Sequence, residues 1–298
     1  MSPGAIAEPE GVVAESEDAE DGERRLSRNL KRLLKSPAFV VGAAIVLIWT
    51  ICALLGGFLA PQDPYAEDLL NSFAPPSVDH WFGSDRLGRD IFSRVIVGSR
   101  DILTIAPLAT IISSALGSAL GLTMGYFGGW VDEILSRLVD AVLSLPTILV
   151  ALLALTALGP SSLTVLFVIS FTFAPIVART VRASVLSERG LEYVAAAELR
   201  RETRLYILFV EILPNVLGPI LVEATVRLGY AIFAIATLSF IGSGIQPPSA
   251  DWGLSIASNY GYIASGYWWL VLFDAMAIAS LVVGVNLIAD SVQSLFDE

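Results

Sequence analysis

Residues 192–215 read EYVAAAELRRETRLYILFVEILPN, and they form the only long charge-rich segment between apolar stretches in the second half of the chain. One helical face is marked by the i, i+3, i+4, i+7 spacing of Tyr193, Ala196, Ala197 and Arg200. The two alanines leave this face flat, so a second protein can approach it closely. The first part of the segment is therefore predicted to be a short helix with a docking surface.

The second part of the segment predicts another helix. Its apolar stripe consists of Leu205, Leu208, Phe209 and Ile212. Thr203 is a suitable N-cap, and Pro214 is expected to mark the end of the helix. A bent helix pair that is apolar on one side and flat on the other is suited to lie against a membrane domain and to dock a soluble partner.

The composition surrounding this segment is that of a membrane protein. Of the 298 residues, 55% are hydrophobic, and the mean hydropathy is +0.70, which indicates a polytopic membrane protein. The net charge is -11, and eight of the 29 acidic residues lie between Glu8 and Glu23. A basic run at 24–35 then precedes the first apolar stretch and predicts that the N-terminus is cytoplasmic. Because this run adjoins a membrane span, nucleic-acid binding is not expected.

Six apolar stretches are predicted to cross the bilayer: 38–60, 102–126, 138–158, 163–178, 216–245 and 270–289. The predicted fold class is an all-α polytopic membrane protein with six transmembrane helices and both termini in the cytoplasm. The predicted divisions are a tail and basic segment at 1–35, a first helix at 36–60, an extracytoplasmic loop at 61–100, a five-helix core at 101–290 that includes the charged segment 188–215, and a cytoplasmic end at 291–298.

Ionisable residues inside spans are candidates for function. Glu223 and Arg227 are four residues apart and can neutralise each other. A structural pair is favoured slightly over a gating role, and both interpretations stay open. Asp140 follows Arg137 by three residues, so local pairing is expected there, with a pathway role as the alternative.

Two extracytoplasmic segments combine charges, glycines and prolines. Residues 81–94 read WFGSDRLGRDIFSR, and residues 238–253 read LSFIGSGIQPPSADWG. The mixed charges of the first segment are expected to pair locally, which favours a folded structural loop over substrate contact. The candidate residues are Asp85, Arg86, Gly88, Arg89 and Asp90 in the first segment and Gln246, Pro247, Pro248 and Trp252 in the second.

These three segments resemble those of a known family. Residues 192–215 resemble the cytoplasmic "EAA" coupling loop of bacterial ABC importer permeases, matching at Ala196, Ala197 and the ILPN that ends the segment. Residues 81–94 resemble the FGTDxLGRDxxSR signature of the C-type permeases for peptides and nickel, and residues 238–253 resemble their LSFLGxGxQPPxxxWG segment. Two positions depart from the coupling-loop pattern: Ala195 replaces an acidic residue, and Arg201 replaces the glycine of the bend.

The resemblance implies a type I ABC importer permease fold with cytoplasmic coupling helices, in a bacterial or archaeal plasma membrane. It implies a homologous permease as partner, two ATPase subunits or a fused pair, and an extracytoplasmic binding protein. The residues that it implies for ATPase coupling are Glu192, Tyr193, Ala196, Ala197, Arg200, Arg201 and Arg204. Because Arg201 replaces glycine, the first helix is expected to continue through it. The cargo implied is a di- or oligopeptide, with nickel or another small solute as the alternative.

Several chemistries are not expected in this chain. Neither Lys31 nor Lys35 stands in the glycine-rich context of a P-loop, so ATP and Mg²⁺ are expected on partner subunits and this chain is not expected to be an enzyme. Its one histidine, His80, is expected to be a solvated loop residue, and no histidine-based metal site or protease is predicted. A membrane scaffold without transport activity is the remaining alternative.

Overall fold

The computed structural model describes residues 32–296, and almost all of its regular structure is helical. In chain order the helices are α1 (Pro37–Leu59), α2 (Ile91–Phe127), α3 (Gly129–Leu143), α4 (Thr147–Leu158), α5 (Ser162–Arg189), α6 (Glu192–Leu199), α7 (Arg204–Phe240), α8 (Trp252–Asn259) and α9 (Trp269–Phe296). The predicted all-α class is confirmed. The predicted acidic tail falls within residues 1–31, which lie outside the described residues, as do residues 297–298.

Five helices of the described chain, α1, α2, α5, α7 and α9, are long and apolar enough to cross a membrane. The predicted third span at 138–158 is not one straight helix, because α3 and α4 meet at an angle of 86°. Pro146 explains the break, since proline has no N–H and keeps the preceding residue out of the helical conformation. The bent pair provides the sixth span if it crosses the membrane as a unit.

Several predicted boundaries differ from those observed. The loop predicted at 61–100 ends at Asp90, because Asp90 caps α2 by accepting a hydrogen bond from the Ser93 N–H at 2.8 Å. Helix α5 continues past the predicted end at 178, and α9 continues past the predicted end of the core at 290. Helix α7 stops at Phe240 instead of 245, and Gly242 then takes a φ of +86°, which favours glycine.

Pro214 does not end a helix, contrary to the sequence prediction. The chain forms a π-helical turn over Ile207–Ile212 and then continues as an α-helix from Leu213. Pro214 is therefore the second residue of the renewed α-helix, where proline is well tolerated. As a result, the predicted second helix of the charged segment and the fifth span form the single helix α7.

The most extensive helix pairing in the described chain joins α2 and α5. A stripe of glycines on α2, Gly117, Gly121 and Gly125, faces Val177, Val181 and Val185 on α5. A Cβ added at Gly117 would lie 2.5 Å from Cβ of Val177, so only glycine permits this approach. Helix α5 is thereby packed closely against α2 just before the chain enters α6.

Helix α1 lies at the periphery and packs on α9. Gly42 contacts Gly284 so closely that an added Cβ would lie 2.6 Å from the Gly284 carbonyl oxygen. Trp49 Nε1 donates a hydrogen bond to Ser280 Oγ at 2.9 Å. Most of the remaining α1 surface is exposed and apolar, as expected for contact with lipid.

Candidate coupling site

Helix α6 and the start of α7 form a compact unit that packs on the C-terminal parts of α2 and α5. Val194 and Ala197 of α6 are 1% and 0% exposed. They pack in an apolar cluster with Leu122, Tyr126, Val177, Val181, Val185, Ile207, Leu208, Ile212 and Val216. Because this cluster draws residues from four helices, α6 is seated on the membrane domain by burial of apolar surface.

The predicted docking face is divided between the two sides of α6. Ala196 is exposed, whereas Ala197 faces the membrane domain, so the prediction that both alanines dock a partner is wrong for Ala197. Its small side chain instead lets α6 approach the cluster closely. The outward surface carries Ala195, Ala196 and Leu199, and Leu199 is 85% exposed. The predicted stripe of α7 is divided too, since Leu208 and Ile212 are buried while Leu205 and Phe209 are exposed.

Arg201 ends helix α6 instead of continuing it, which corrects the prediction made for this position. Its φ is +61°, in the left-handed region that favours glycine. The Arg201 N–H donates to the Glu198 carbonyl at 2.9 Å, and the Glu202 N–H donates to the Ala197 carbonyl at 3.2 Å. These two bonds form a Schellman motif, so the bend keeps a glycine conformation although its residue is arginine.

Two side-chain contacts tie α6 to the adjoining spans. Tyr193 donates a hydrogen bond from its hydroxyl to Glu188 of α5 at 2.8 Å. Burial and this carboxylate raise the pKa of Tyr193 to about 12, so the hydroxyl stays protonated at neutral pH. Arg200 donates from Nη2 to Glu211 of α7 at 2.8 Å. These two contacts connect α6 to both adjoining spans.

The remaining predicted coupling residues lie at the ends of this unit. Glu192 is exposed in the first turn of α6, and Arg204 is exposed in the first turn of α7. Thr203 caps α7 as predicted, because its Oγ1 accepts a hydrogen bond from the Tyr206 N–H at 3.2 Å.

Glu223 and Arg227 form the ion pair that their spacing predicts. Arg227 Nε lies 2.6 Å from Glu223 Oε1, and the two side chains are only 14–16% exposed. Thr180 of α5 donates a hydrogen bond to Glu223 Oε2 at 3.3 Å. Glu223 also borders a cavity of about 540 Å³ near the start of α7. The two charges thus neutralise each other, which fits the structural role. Because Glu223 also borders the cavity, the gating role stays open.

Asp140 does not pair with Arg137, contrary to prediction. Arg137 binds Glu133, its neighbour one turn earlier, and Asp140 accepts from Arg179 of α5 at 2.6 Å. A stronger contact lies beside it, where Arg182 of α5 binds both carboxylate oxygens of α3 Asp132 at 2.5 and 2.7 Å. These pairs fasten the bent α3–α4 unit to α5.

The first of the two motifs predicted to be extracytoplasmic, residues 81–94, is a folded loop, as predicted. Asp85 accepts hydrogen bonds from the backbone of Leu87 and Arg89 and forms an ion pair with Arg89 at 2.6 Å. Asp90 accepts from Ser93 and lies 3.1 Å from Nδ1 of His80. The side chain of His80 is only 11% exposed, so it is not the solvated residue that was expected.

Arg86 and Gly88 of this motif differ from its paired charges. Arg86 is exposed and makes no ion pair or side-chain hydrogen bond with any described residue, so local pairing does not extend to it. Gly88 has a φ of +73°, and an added Cβ would lie 1.7 Å from the Asp68 carbonyl oxygen. Glycine is therefore required at this position both for its conformation and for space.

The second of these motifs, residues 238–253, packs against α2. Trp252 is fully buried, donates to the Val95 carbonyl at 2.9 Å, and contacts Trp49 edge to face. Gln246 donates a hydrogen bond from its side-chain amide to the Gly244 carbonyl at 3.0 Å, and this bond stabilises the turn. Pro247 and Pro248 follow directly and border a small cavity.

Several contacts were missed from the sequence. Arg94 donates to the carbonyls of Pro64 and Ser249, and Asp251 caps α8 by accepting from the Leu254 N–H at 2.8 Å. Burial raises the pKa of Asp251 to about 6. The sequence gives no signal for the two Arg94 contacts, which join residues 30 and 155 positions apart. Asp251, in contrast, lies directly before α8, where aspartate is a favoured N-cap, so its role could have been read from the sequence.

Comparison with known proteins agrees with this geometry. Residues 117–298 match the family of binding-protein-dependent transport system inner membrane components, and residues 25–76 match the N-terminal TM domain of oligopeptide transport permease C. The chain is 37% identical over 262 residues to the probable D,D-dipeptide transport system permease protein DdpC of Escherichia coli (strain K12), covering 88% of each chain. It is 36% identical over 267 residues to the dipeptide transport system permease protein DppC of Bacillus subtilis (strain 168), covering 90% of this chain and 83% of that protein.

A solved structure shares the fold. A chain of the MetNI methionine ABC transporter, in inward-facing conformations, matches with a TM-score of 0.56 and 18% identity, covering 68% of this chain and 95% of that one. This likeness shows the type I importer permease fold that the sequence resemblance implied. The chain belongs to the family of binding-protein-dependent transport system inner membrane components, and it is a multi-pass membrane protein.

Proposed function

We propose that this chain is a permease subunit of an ATP-driven importer of di- or oligopeptides. The peptide cargo is supported by the names of its relatives, which are dipeptide transport permeases. The observation that carries the coupling role is the seating of α6. Its inner face is buried on the membrane domain, while Ala195, Ala196 and Leu199 remain outward for a partner.

The partners follow from this assignment. A homologous permease supplies the other half of the pathway, and an extracytoplasmic binding protein delivers the peptide. Separate ATPase subunits bind ATP and Mg²⁺ and hydrolyse the nucleotide, so this chain translocates without being an enzyme. Both termini and α6 lie in the cytoplasm, because arginines cluster around α6 at Arg179, Arg182, Arg189, Arg200, Arg201 and Arg204.

The contacts around α6 provide the mechanical linkage. Closure of the ATPase subunits displaces α6, and the Tyr193–Glu188 and Arg200–Glu211 contacts move α5 and α7 with it. The Asp132–Arg182 contact extends this motion to α3. Helices α3, α5 and α7 therefore respond together, as a switch between inward- and outward-facing states requires.

Transport by the reconstituted complex tests this function. The permease is assembled in proteoliposomes with its partner permease, ATPase subunits and binding protein, and uptake of a labelled dipeptide is measured with ATP inside. We expect uptake that requires ATP and the binding protein. Uptake of Ni²⁺ in place of dipeptide would overturn the peptide assignment, and a complex that binds its partners but moves neither would indicate a scaffold.

A further inference from the structure

The basic segment that precedes α1 separates its charges from its leucines. Residues 24–35 read RRLSRNLKRLLK, with six lysines or arginines and no acidic residue. The leucines stand at 26, 30, 33 and 34, which is the i, i+4, i+7, i+8 spacing of one helical stripe. At about 100° per residue, all six basic residues fall on the opposite half of such a helix. This pattern is typical of basic amphipathic helices that lie in the plane of a membrane surface.

The described end of this segment is a helical turn that is separate from α1. Residues 32–35 are helical, and Ser36 then takes an extended backbone, with φ -74° and ψ 117°, before Pro37 begins α1. Because the helix is interrupted at Ser36, the basic segment is not a continuation of the span and is able to turn away from its axis. Leu34 is 58% exposed, so the packing of the described chain does not take up its side chain. Residues 24–31 precede the described chain and contribute only their sequence pattern.

The same end of the segment lies beside the end of α9. It shares a small cavity with that helix, lined by Arg32, Leu33, Ser36, Ser291, Ser294 and Leu295. Helix α1 packs on α9 through Gly42 and Gly284. The surface of α1 that faces away from α9 is apolar and begins with Val40 and Val41, which are 47% and 51% exposed. The basic segment therefore stands where two spans leave the bilayer, at the level of the lipid headgroups.

We propose that residues 24–35 bind the surface of a membrane that contains anionic phospholipids, with the leucines against the acyl chains and the basic side chains on the lipid phosphates. Clusters of four to eight basic residues directly beside a span are attracted to anionic headgroups. Charge alone would also suit another polyanion. The leucine stripe and the connection to α1 through the single residue Ser36 favour the membrane surface. The inference goes beyond the proposed function and does not depend on the cargo.

The test uses the complete complex in proteoliposomes, with Cys52 replaced by alanine and a fluorophore on a single cysteine at position 34. Quenching of this label by phosphatidylglycerol with brominated acyl chains is compared with quenching by brominated phosphatidylcholine, in bilayers that contain both lipids. We expect phosphatidylglycerol to be enriched roughly tenfold around the label at low salt, and less at high salt. Arg32→Gln combined with Lys35→Gln should lower this enrichment roughly fivefold or more, because each basic residue near an anionic surface contributes about fivefold in affinity. Four basic residues remain in that variant to keep the orientation.

The matched control exchanges two neighbouring residues of the segment. Leu30→Lys combined with Lys31→Leu keeps the composition and the net charge but places a charge within the leucine stripe, so quenching by both lipids should fall. A label at position 35, on the basic side, should be quenched by aqueous iodide and not by lipid. Equal responses of labels at positions 34 and 35, equal enrichment of the two phospholipids, or an exchange variant that behaves like the wild type would each overturn the proposal. The label reports lipid contact whether or not peptide is transported, so a failure of the proposed function is observed separately.

Discussion

Ala196 and Ala197 are neighbours in α6, about 100° apart around the helix axis, and differ in burial: Ala197 is fully buried against the membrane domain, and Ala196 is exposed. Tryptophan at the two positions should therefore fail differently. Ala197→Trp overfills the apolar cluster and should destabilise the permease by roughly 1–3 kcal/mol or more. Ala196→Trp should leave folding intact and abolish transport by blocking the ATPase.

The two outcomes are separated by membrane yield, thermal stability and co-purification of the ATPase. Each variant is the control for the other, because the substitution and the helix are the same. Transport at wild-type rate by Ala196→Trp would show that the outward face of α6 is not the coupling surface.

Arg201→Gly should stabilise the bend after α6. A left-handed residue with a Cβ costs roughly 1–2 kcal/mol, and glycine removes this cost at the price of greater freedom in the unfolded chain. We expect a net gain of about 0.5–1 kcal/mol, measured as slower amide exchange at Glu202, whose N–H closes the Schellman motif. Arg201→Ala is the control, since it removes the charge and keeps the Cβ. Equal gains from both variants would assign the effect to charge.

The sequence predicted the helices of this region better than their orientation. The spacing around Tyr193 and the cap at Thr203 depend on neighbouring residues, so both could be read from the sequence. The inward side of α6 is decided by residues of α2, α5 and α7, which pattern alone does not position. For the same reason, Asp132 and Arg182, fifty residues apart, could not be paired in advance.

The glycine of the coupling-loop pattern predicts the backbone conformation at position 201 even though this chain has arginine there. Arg201 replaces a glycine, and local propensity favours continuation of α6. The structure nevertheless keeps the left-handed conformation, because the hydrogen bonds of Glu198 and Ala197 and the packing of α6 and α7 determine the backbone there. Tertiary contacts thus outweigh a local cost of about 1–2 kcal/mol.

Glu223→Gln should impair the permease more than Glu223→Gln combined with Arg227→Gln. The single change leaves the Arg227 charge largely buried without its partner, which typically lowers the stability by about 3–5 kcal/mol. The double change removes both charges. Thermal stability in detergent and membrane yield measure the difference. The exposed pair Glu133 and Arg137 is the matched control, where loss of one partner should cost below about 1 kcal/mol. Equal defects in the single and double variants would show that Glu223 and Arg227 act separately.

The proposed topology predicts where single cysteines react. With Cys52 replaced by alanine, a cysteine at Glu198 should be labelled by an impermeant reagent only after the cells are opened. A cysteine at Val78, which is 91% exposed, should be labelled in intact cells. Labelling of position 198 from outside would reverse the orientation and remove the basis for an ATPase site at α6.

Asp251, in the segment between α7 and α8, should make the free energy of unfolding depend on pH. Its pKa is raised to about 6 by burial, with Asp101 adding to the effect. A raised pKa in the folded state means that the protonated acid is favoured there. This contribution is therefore present below the ordinary pKa of 3.8 and is lost as the pH rises through about 6.

Asp251→Asn should then raise the thermal stability at pH 8, by an amount equivalent to roughly 1–3 kcal/mol, and should change it little at pH 4.5. Asparagine retains the capping interaction with the Leu254 N–H, so the helix start is preserved. Asp251→Ala, which removes the cap, is expected to lower stability at pH 4.5, where the charge no longer matters. An Asn variant that shifts stability equally at both pH values would show that Asp251 does not titrate in this range.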